Sequence, residues 1–431
     1  MTRRVNARTV WLAACIGMAP LAAACRRGPS FTAAAEFPAM GRAAADPALV
    51  TEPGTANILA TWIAGDSTAW QLYFARSADG GASWSAPVRV TTEPNDVMPH
   101  GEASPRLVAA TGGRLAVVWP RSIPVAGRQW PASAMRLARS LDGGRTWIPP
   151  VTLNDDTTSG ASGHNFHGAT WVGDSGLITA WLDERQGDSV TVHHAHATAG
   201  EPTSEPDAVV YAAYSPDFGR TWMPNRPLWG AACPCCRVAM ARGIDGGAVA
   251  AWRQHYPGNI RDVVVAPLSA GHVEPTRVHE DDWVYPGCPH AGPSLAIGPN
   301  GDRHVVWYTG RTGGTGLYYT RLDSLGRGAG PVVKLVAADH LPPSHASAAA
   351  LPDGGALATF DAAPDGSRAI GLARLAPNGT LAWNAVVPAS AGGRYPQLAL
   401  GPDGTALVAW SVDGPRGPAI RLARVAAPDR R

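Results

Sequence analysis

Ser77-Ala-Asp79-Gly-Gly81-Ala-Ser-Trp84, Ser140-Leu-Asp142-Gly-Gly144-Arg-Thr-Trp147 and Ser215-Pro-Asp217-Phe-Gly219-Arg-Thr-Trp222 are three copies of one pattern, Ser-x-Asp-x-Gly-x-x-Trp. Each follows a strand-like run. The chemistry is that of a closed turn, in which Ser and Asp side chains accept hydrogen bonds from backbone N–H groups within the loop. Gly81, Gly144 and Gly219 stand where such a turn needs a positive φ. Trp84, Trp147 and Trp222 are placed to fold back and seal the hairpin end against its neighbour. All twelve residues therefore read as structural, not catalytic.

The turns end a longer repeat. Its most regular part is a short apolar strand closing on an aromatic residue: Ile58–Trp62, Leu115–Trp119, Leu177–Trp181, Ala248–Trp252, His304–Trp307, Ala356–Phe360 and Ala406–Trp410. The aromatic residues recur every 50 to 71 positions, a spacing that suits four-stranded units. A Gly-rich turn precedes most of them, and a further strand runs on into the Ser-x-Asp turn or its remnant. The chain resembles the sialidase-like β-propellers built of Asp-box (BNR) repeats, and the likeness covers nearly all of residues 31–425. It implies an all-β propeller of four-stranded blades. Seven repeats suggest seven blades; the six of the familiar sialidases are the alternative. The last repeat stops near Val425, one strand short, and the segment Phe31–Phe37 is expected to supply that strand and close the ring.

Composition agrees with one large fold. The chain has 431 residues, 45% hydrophobic and only 16% charged, enough to bury a sizeable core. Its 49 glycines and 39 prolines fall between strand-like runs, as turns do. Residues 1–24 stand apart as a signal peptide: Arg3, Arg4 and Arg8, then an apolar stretch from Thr9 to Ala24, then Leu21-Ala-Ala-Ala24-Cys25. This resembles a bacterial lipoprotein signal with Cys25 as the lipidated residue. Leu21 lies one place further from the cysteine than the usual pattern has it, and simple cleavage near Ala24 is the alternative. The propeller would then occupy residues 25–431, anchored at the periplasmic side or the cell surface. Three arginines and no acid precede Cys25, so the formal net charge of +2 becomes −1 in the mature chain. That balance gives no footprint for nucleic acid.

The repeat sorts its loops onto two faces. The Gly-rich turns and the Asp boxes share one. The links that lead from one unit into the innermost strand of the next share the other, where propellers bind ligands. Those links are unusual in content: His100 with Glu102, then His164 and His167, then Cys233-Pro-Cys235-Cys236-Arg237, then Cys288-Pro-His290, then His345, then Arg394-Tyr395. Repeat equivalence turns this scatter into a ring of His and Cys around one channel mouth. Two chemistries fit. An exported protein can bridge Cys288 to Cys233, Cys235 or Cys236 as a disulfide. Alternatively, the thiolates with His290, and with His100, His167 and His345 around them, suit a soft ion such as copper or zinc. The spacing matches no standard zinc motif. A second histidine group, His193, His194 and His196, reads as an exposed polar strand, followed by a loop from Thr198 to Asp207.

The resemblance does not extend to a catalytic site. Sialidases clamp a carboxylate with three arginines, because that contact must be charge-assisted and fixed. They add a Tyr nucleophile, its Glu partner, an Asp acid/base and an early Phe/Tyr-Arg-Ile-Pro motif. That motif is absent, and neither Arg42 nor Arg106 has its neighbours. Arg237, Arg253, Arg311 and Arg394 are the arginines available on the binding face. Tyr395 and Tyr308 are the phenols, and Asp183 and Glu184 the acids. Loop arginines and acids of this kind commonly form solvated pairs of little energetic weight. The expectation is a binding propeller whose mouth takes a small ligand, a metal ion or a protein partner, with a glycoside hydrolase or a disulfide-braced scaffold as the alternatives.

Overall fold

The structure is a computed structural model. It describes residues 29–32, 35–37, 39–55, 57–66, 68–127, 131–156, 162–185, 208–268, 273–337, 345–362, 368–401 and 405–426. Cys25, the preceding signal, His193, His194, His196 and the Thr198–Asp207 loop lie outside the described residues.

Strands follow one another in antiparallel sets. β1 (Ser30–Phe31) and β2 (Ala35–Glu36) come first. β3 (Ala43–Thr51), β4 (Ile58–Gly65), β5 (Trp70–Ser77) and β6 (Val88–Arg89) form one sheet. β7 (Arg106–Ala110), β8 (Arg114–Ile123), β9 (Ala132–Ser140) and β10 (Ile148–Thr152) form the next. β11 (His164–Val172), β12 (Gly176–Asp183), β13 (Ala208–Ser215) and β14 (Arg226–Ala232) are followed by β15 (Ala239–Arg242), β16 (Ala248–Tyr256), β17 (Ile260–Leu268) and β18 (Thr276–Arg277). These eight run on as one sheet because Ala232 of β14 pairs with Gln254 of β16. β19 (Ser294–Ile297), β20 (Arg303–Thr309), β21 (Gly316–Leu322) and β22 (Val333–Ala337) form another four-stranded sheet. So do β23 (Ala346–Ala350), β24 (Ala356–Phe360), β25 (Gly371–Leu375) and β26 (Leu381–Val386). β27 (Arg394–Leu400), β28 (Ala406–Gly414) and β29 (Gly417–Ala426) end the chain, and β1 and β2 pair with the outer edge of β29. The expected N-terminal strand is thus in place: Phe31 lies opposite Val425.

The innermost strands touch in order: β3 against β7, β7 against β11, β11 against β15, β15 against β19, β19 against β23, β23 against β27, and β27 against β3. Stacked this way, the second strand of each set is covered on both faces, which is why its run is apolar throughout rather than alternating. Trp62, Trp119, Trp181, Trp252, Trp307, Phe360 and Trp410 are all at most 2% exposed. They fill the gaps between neighbouring sheets.

The Ser-x-Asp turns close as their chemistry demands. Ser140 Oγ accepts from Gly144 N at 2.8 Å, and Asp142 Oδ1 accepts from Thr146 N at 3.0 Å. The other two copies repeat this, with Gly81 N on Ser77 and Gly219 N on Ser215. The glycines have φ of 89°, 86° and 84° at Gly81, Gly144 and Gly219. Each turn also knits neighbouring sheets together. A Cβ on Gly144 would lie 2.1 Å from the Phe74 ring, which Trp147 meets edge-on with centroids 5.5 Å apart. Gly144→Ala therefore combines a left-handed backbone with overpacking, and it should lower the denaturant midpoint by the equivalent of about 1–3 kcal/mol. Gly143 N donates to Gly113 O at 2.8 Å, so the Asp boxes and the Gly-rich turns lie on one face. The links into the inner strands lie at the opposite ends of those strands.

Candidate functional site

The mouth is organised by one buried carboxylate. Glu102 sits in the short 3-10 turn Gly101–Ala103, capped by His100, whose Nδ1 accepts from Ala103 N at 3.3 Å. Glu102 accepts from Arg237 Nη1 at 3.0 Å, from Arg237 N at 3.2 Å and from Gly292 N at 2.6 Å. His345 Nε2 lies 3.7 Å from the same carboxylate. Arg237 is held further by Ala346 O at 2.6 Å. Gly292 packs so closely on Arg237 that a Cβ there would fall 2.5 Å from the Arg237 carbonyl oxygen. One carboxylate thus joins four links: those carrying His100, the Cys233–Arg237 run, Cys288–His290 and His345.

A second acid does the same one step around. Asp361 accepts from His345 N at 2.6 Å, from His345 Nδ1 at 2.9 Å and from Tyr395 N at 3.2 Å. Burial alone would push the His345 imidazole down, but the Asp361 charge, its hydrogen bond and the Glu102 charge outweigh this and raise it. His345 Nε2 faces the carbonyl oxygen of His290 at 3.1 Å, so both of its nitrogens are engaged. The Tyr395 ring lies 4.3 Å from the His345 ring and packs directly on Gly101. Below the mouth, the inner strands enclose a cavity of about 180 Å³ lined by Arg106, Arg237 and mostly small residues such as Ala48, Gly168 and Ala348. Burial, together with the like charge of Arg237, pushes Arg106 down to about 9.

Backbone strain aims these side chains. Asp46, Phe166, His290 and Tyr395 have φ of 53°, 55°, 48° and 53°, each at the mouth end of an inner strand. Three of them lie in register shifts of β3, β11 and β27. A bulge there turns the strand and re-aims its side chains. Left-handed non-glycine residues cost about 1–3 kcal/mol each, and they concentrate where a site must be held in shape.

None of the four described cysteines, Cys233, Cys235, Cys236 and Cys288, is in a disulfide. This corrects the expected disulfide: the short Cys233–Cys236 turn, with Cys236 N on Cys233 O, gathers three thiols, and none of them is bonded to Cys288. Cys233 Sγ lies 3.3 Å from Cys236 Sγ and 3.8 Å from Cys235 Sγ. It also accepts from Arg261 Nη1 at 3.1 Å. Burial would raise the Cys233 thiol, but the neighbouring thiols and the Arg261 and Arg253 charges bring it well below its usual value. Burial pushes the Cys235 and Cys236 thiols up. Two compact groups of ligand atoms result. Cys233, Cys235 and Cys236 lie within 4.8 Å of one another, and so do Cys235, Cys288 and His290. The first group is buried; in the second, Cys288 is half-buried and His290 exposed.

The other histidines of the ring do not join the thiols. His100 caps Glu102's turn and meets the Phe166 ring edge-on at 5.7 Å. His167 is fully buried with Nε2 at 2.8 Å from Val118 O. Burial, with Arg106 nearby, pushes it down to about 3. The remaining sequence candidates each have local partners. Arg394 is paired with exposed Asp413. Arg311 lies 3.5 Å from Asp281. Asp183 is tied to Trp181 Nε1, Arg185 and His164, and Glu184 N donates to Gly163 O. Arg253 is 1% exposed and donates to the carbonyls of Ala291, Arg261 and Tyr308. Burial raises both Tyr308 and Tyr395 above the ordinary phenol value. Sequence reasoning missed Asp46, Arg261 and Asp361 and set Arg106 aside, because acids and arginines in or beside strands carry no motif.

No family model matches the chain, and no curated protein does. Among solved structures it is similar to the polysaccharide lyase PL25 ulvan lyase bound to -[GlcA(1-4)Rha3S]-, with a TM-score of 0.54 and 11% identity. That match covers 88% of this chain and 93% of the lyase. It is similar to the BP39L lectin from Burkholderia pseudomallei at 0.54 and 14%, over 86% of this chain and 96% of the lectin. The Hadza microbial sialidase Hz136 gives 0.47 and 16%; the chain is matched over 88% but spans only 65% of that sialidase's length. The fold is a β-propeller of antiparallel four-stranded sheets. At these identities the likeness shows the fold alone.

Proposed function

We propose that this is a seven-bladed propeller that binds a soft metal ion, copper(I) or zinc, at the mouth of its channel. The cyclic order of inner-strand contacts supports the blade number: the eight-stranded sheet counts as two blades joined by one bridge. The observation that carries the metal reading is the approach of Cys235, Cys288 and His290 at the open face, with ligand atoms within 4.8 Å of one another. Metal–sulfur bonds of about 2.3 Å in tetrahedral geometry set ligands roughly 3.8 Å apart, so this group needs little rearrangement. Thiolate and imidazole together select soft or borderline ions. Glu102 and Asp361 then act as the frame, fixing the links that carry the ligands.

Elemental analysis of the untagged full chain, purified under reducing conditions, should find bound copper or zinc. Cys235→Ser and Cys288→Ser should each lower uptake, and His290→Ala should weaken it, while His167→Ala leaves it unchanged. A metal-free protein whose thiols titrate as oxidised would end this reading. We propose also that the protein is exported and lipid-anchored at Cys25, with the ion-binding face toward the periplasm or cell exterior. Cys25→Ser should then release it from the membrane fraction.

A second reading is favoured by the nature of the fold relatives, a lectin and a polysaccharide lyase: a glycan bound over the same mouth. Binding to immobilised glycans, lost on Tyr395→Ala, would support it. Hydrolysis is less well supported, because the Tyr395 phenol is raised and Arg311 and Arg394 are already paired with Asp281 and Asp413, so that no carboxylate clamp is assembled among the described residues.

A further inference from the structure

The two ligand groups share one atom. Cys235 Sγ belongs both to the open set with Cys288 and His290 and to the buried set with Cys233 and Cys236. A single ion with bonds of about 2.3 Å cannot hold ligands more than roughly 4.6 Å apart, and the five do not form one group that compact. Resting on the metal reading above, we propose that the mouth holds a binuclear copper(I) cluster. Cys235 bridges an outer ion, held with Cys288 and His290, and an inner ion, held with Cys233 and Cys236. Each thiol releases its proton to solvent as it binds.

Charge decides for a monovalent ion. Four thiolates with two copper(I) ions carry a net charge of −2. Two guanidiniums lie beside them, both 1% exposed: Arg261, which donates to Cys233 Sγ at 3.1 Å, and Arg253, which donates to the Arg261 carbonyl at 2.7 Å. The assembly is then neutral. Two zinc ions in its place would leave +2 buried in a site with no further acid among these contacts, which low-dielectric surroundings disfavour strongly. Three-coordinate sulfur and imidazole also suit copper(I) in chemical softness. Access is graded in the same sense: the exposed His290 and half-buried Cys288 receive an ion first, and Cys235 hands it inward.

The test uses the reduced full chain under anaerobic conditions, with copper(I) supplied as its bicinchoninate complex. Two equivalents per chain are expected, with a copper–copper scattering vector in X-ray absorption of the wild-type protein. Cys233→Ser or Cys236→Ser should leave one equivalent, as should Cys288→Ser with His290→Ala, and each should remove the copper–copper vector. One equivalent in the wild type, unchanged by Cys233→Ser and Cys236→Ser, would overturn the cluster and leave the single-ion reading standing. No copper bound would sink both. Two zinc ions bound in preference to copper, with the same pattern of losses, would overturn the copper assignment. The wild-type scattering vector decides the matter even if a variant fails to fold.

Discussion

Glu102→Ala should destabilise the protein by about 3–5 kcal/mol, the largest single-site effect expected anywhere in the mouth. The carboxylate is 3% exposed and the Arg237 it pairs with 6%. Among the described residues, removing the acid leaves the buried guanidinium with Ala346 O as its hydrogen-bond partner, and it orphans the amides of Arg237 and Gly292. Breaking one partner of a buried pair costs far more than the pair contributes net, because desolvation of the survivor is no longer offset. The control follows from the same logic. Glu102→Leu with Arg237→Met removes both charges and should recover most of the loss. The measurement is the denaturant midpoint at constant slope. A loss below about 1 kcal/mol for Glu102→Ala would mean that water reaches the pair and screens it. Because Glu102 also fixes Gly292, two residues from His290, the variant should weaken metal uptake as well.

Much of the fold was legible in the sequence, and for a physical reason. A propeller repeats one packing problem, so the aromatic residue between sheets and the closed Ser-x-Asp turn recur at fixed places. Trp62 to Trp410 and Gly81, Gly144 and Gly219 behave as that repetition predicts. Closure by Phe31 was readable because a missing strand at one end must be supplied by the other. The convergence of the links was readable too, since equivalent positions of a ring meet at its axis. Which side chains then share a site was not. His167 and His100 sit in the same register as the thiols, but a bulge in β11 turns one into the sheet interface and a capping bond holds the other. The acids of the frame, Asp46 and Asp361, were invisible, because a lone acid in or beside a strand looks the same whether it faces solvent or a buried amide. The left-handed residues were hidden for a related reason. Nothing in Phe166 or Tyr395 announces a positive φ, which only the surrounding contacts enforce.

Asp46 should make the protein lose stability as pH rises from about 4 to 6, against the usual direction for a carboxylate. Burial raises its pKa from 3.8 to about 6, and the His100 amide at 2.6 Å and the His100 and Arg106 charges only partly oppose this. The folded state therefore binds the proton more tightly than the unfolded chain does. Its contribution is fully present below the unfolded value and fades as pH climbs through the folded one. A shift of this size corresponds to roughly 3 kcal/mol at neutral pH. Asp46→Asn keeps the shape and cannot ionise, so it should match the wild type near pH 4 and exceed it by up to about 3 kcal/mol at pH 8. His345, also raised, acts in the same sense, with its share lost only at higher pH, and it persists in the variant. The Asp-box acids act the other way: Asp79 is lowered to about 2, chiefly by its bonds from Ser83, so its contribution is lost only as the medium becomes strongly acidic. The two effects occupy different pH ranges and separate in one set of denaturation curves. Wild type and Asp46→Asn running parallel from pH 4 to 8 would mean that Asp46 stays ionised, with Arg106 as its working partner and not a distant one.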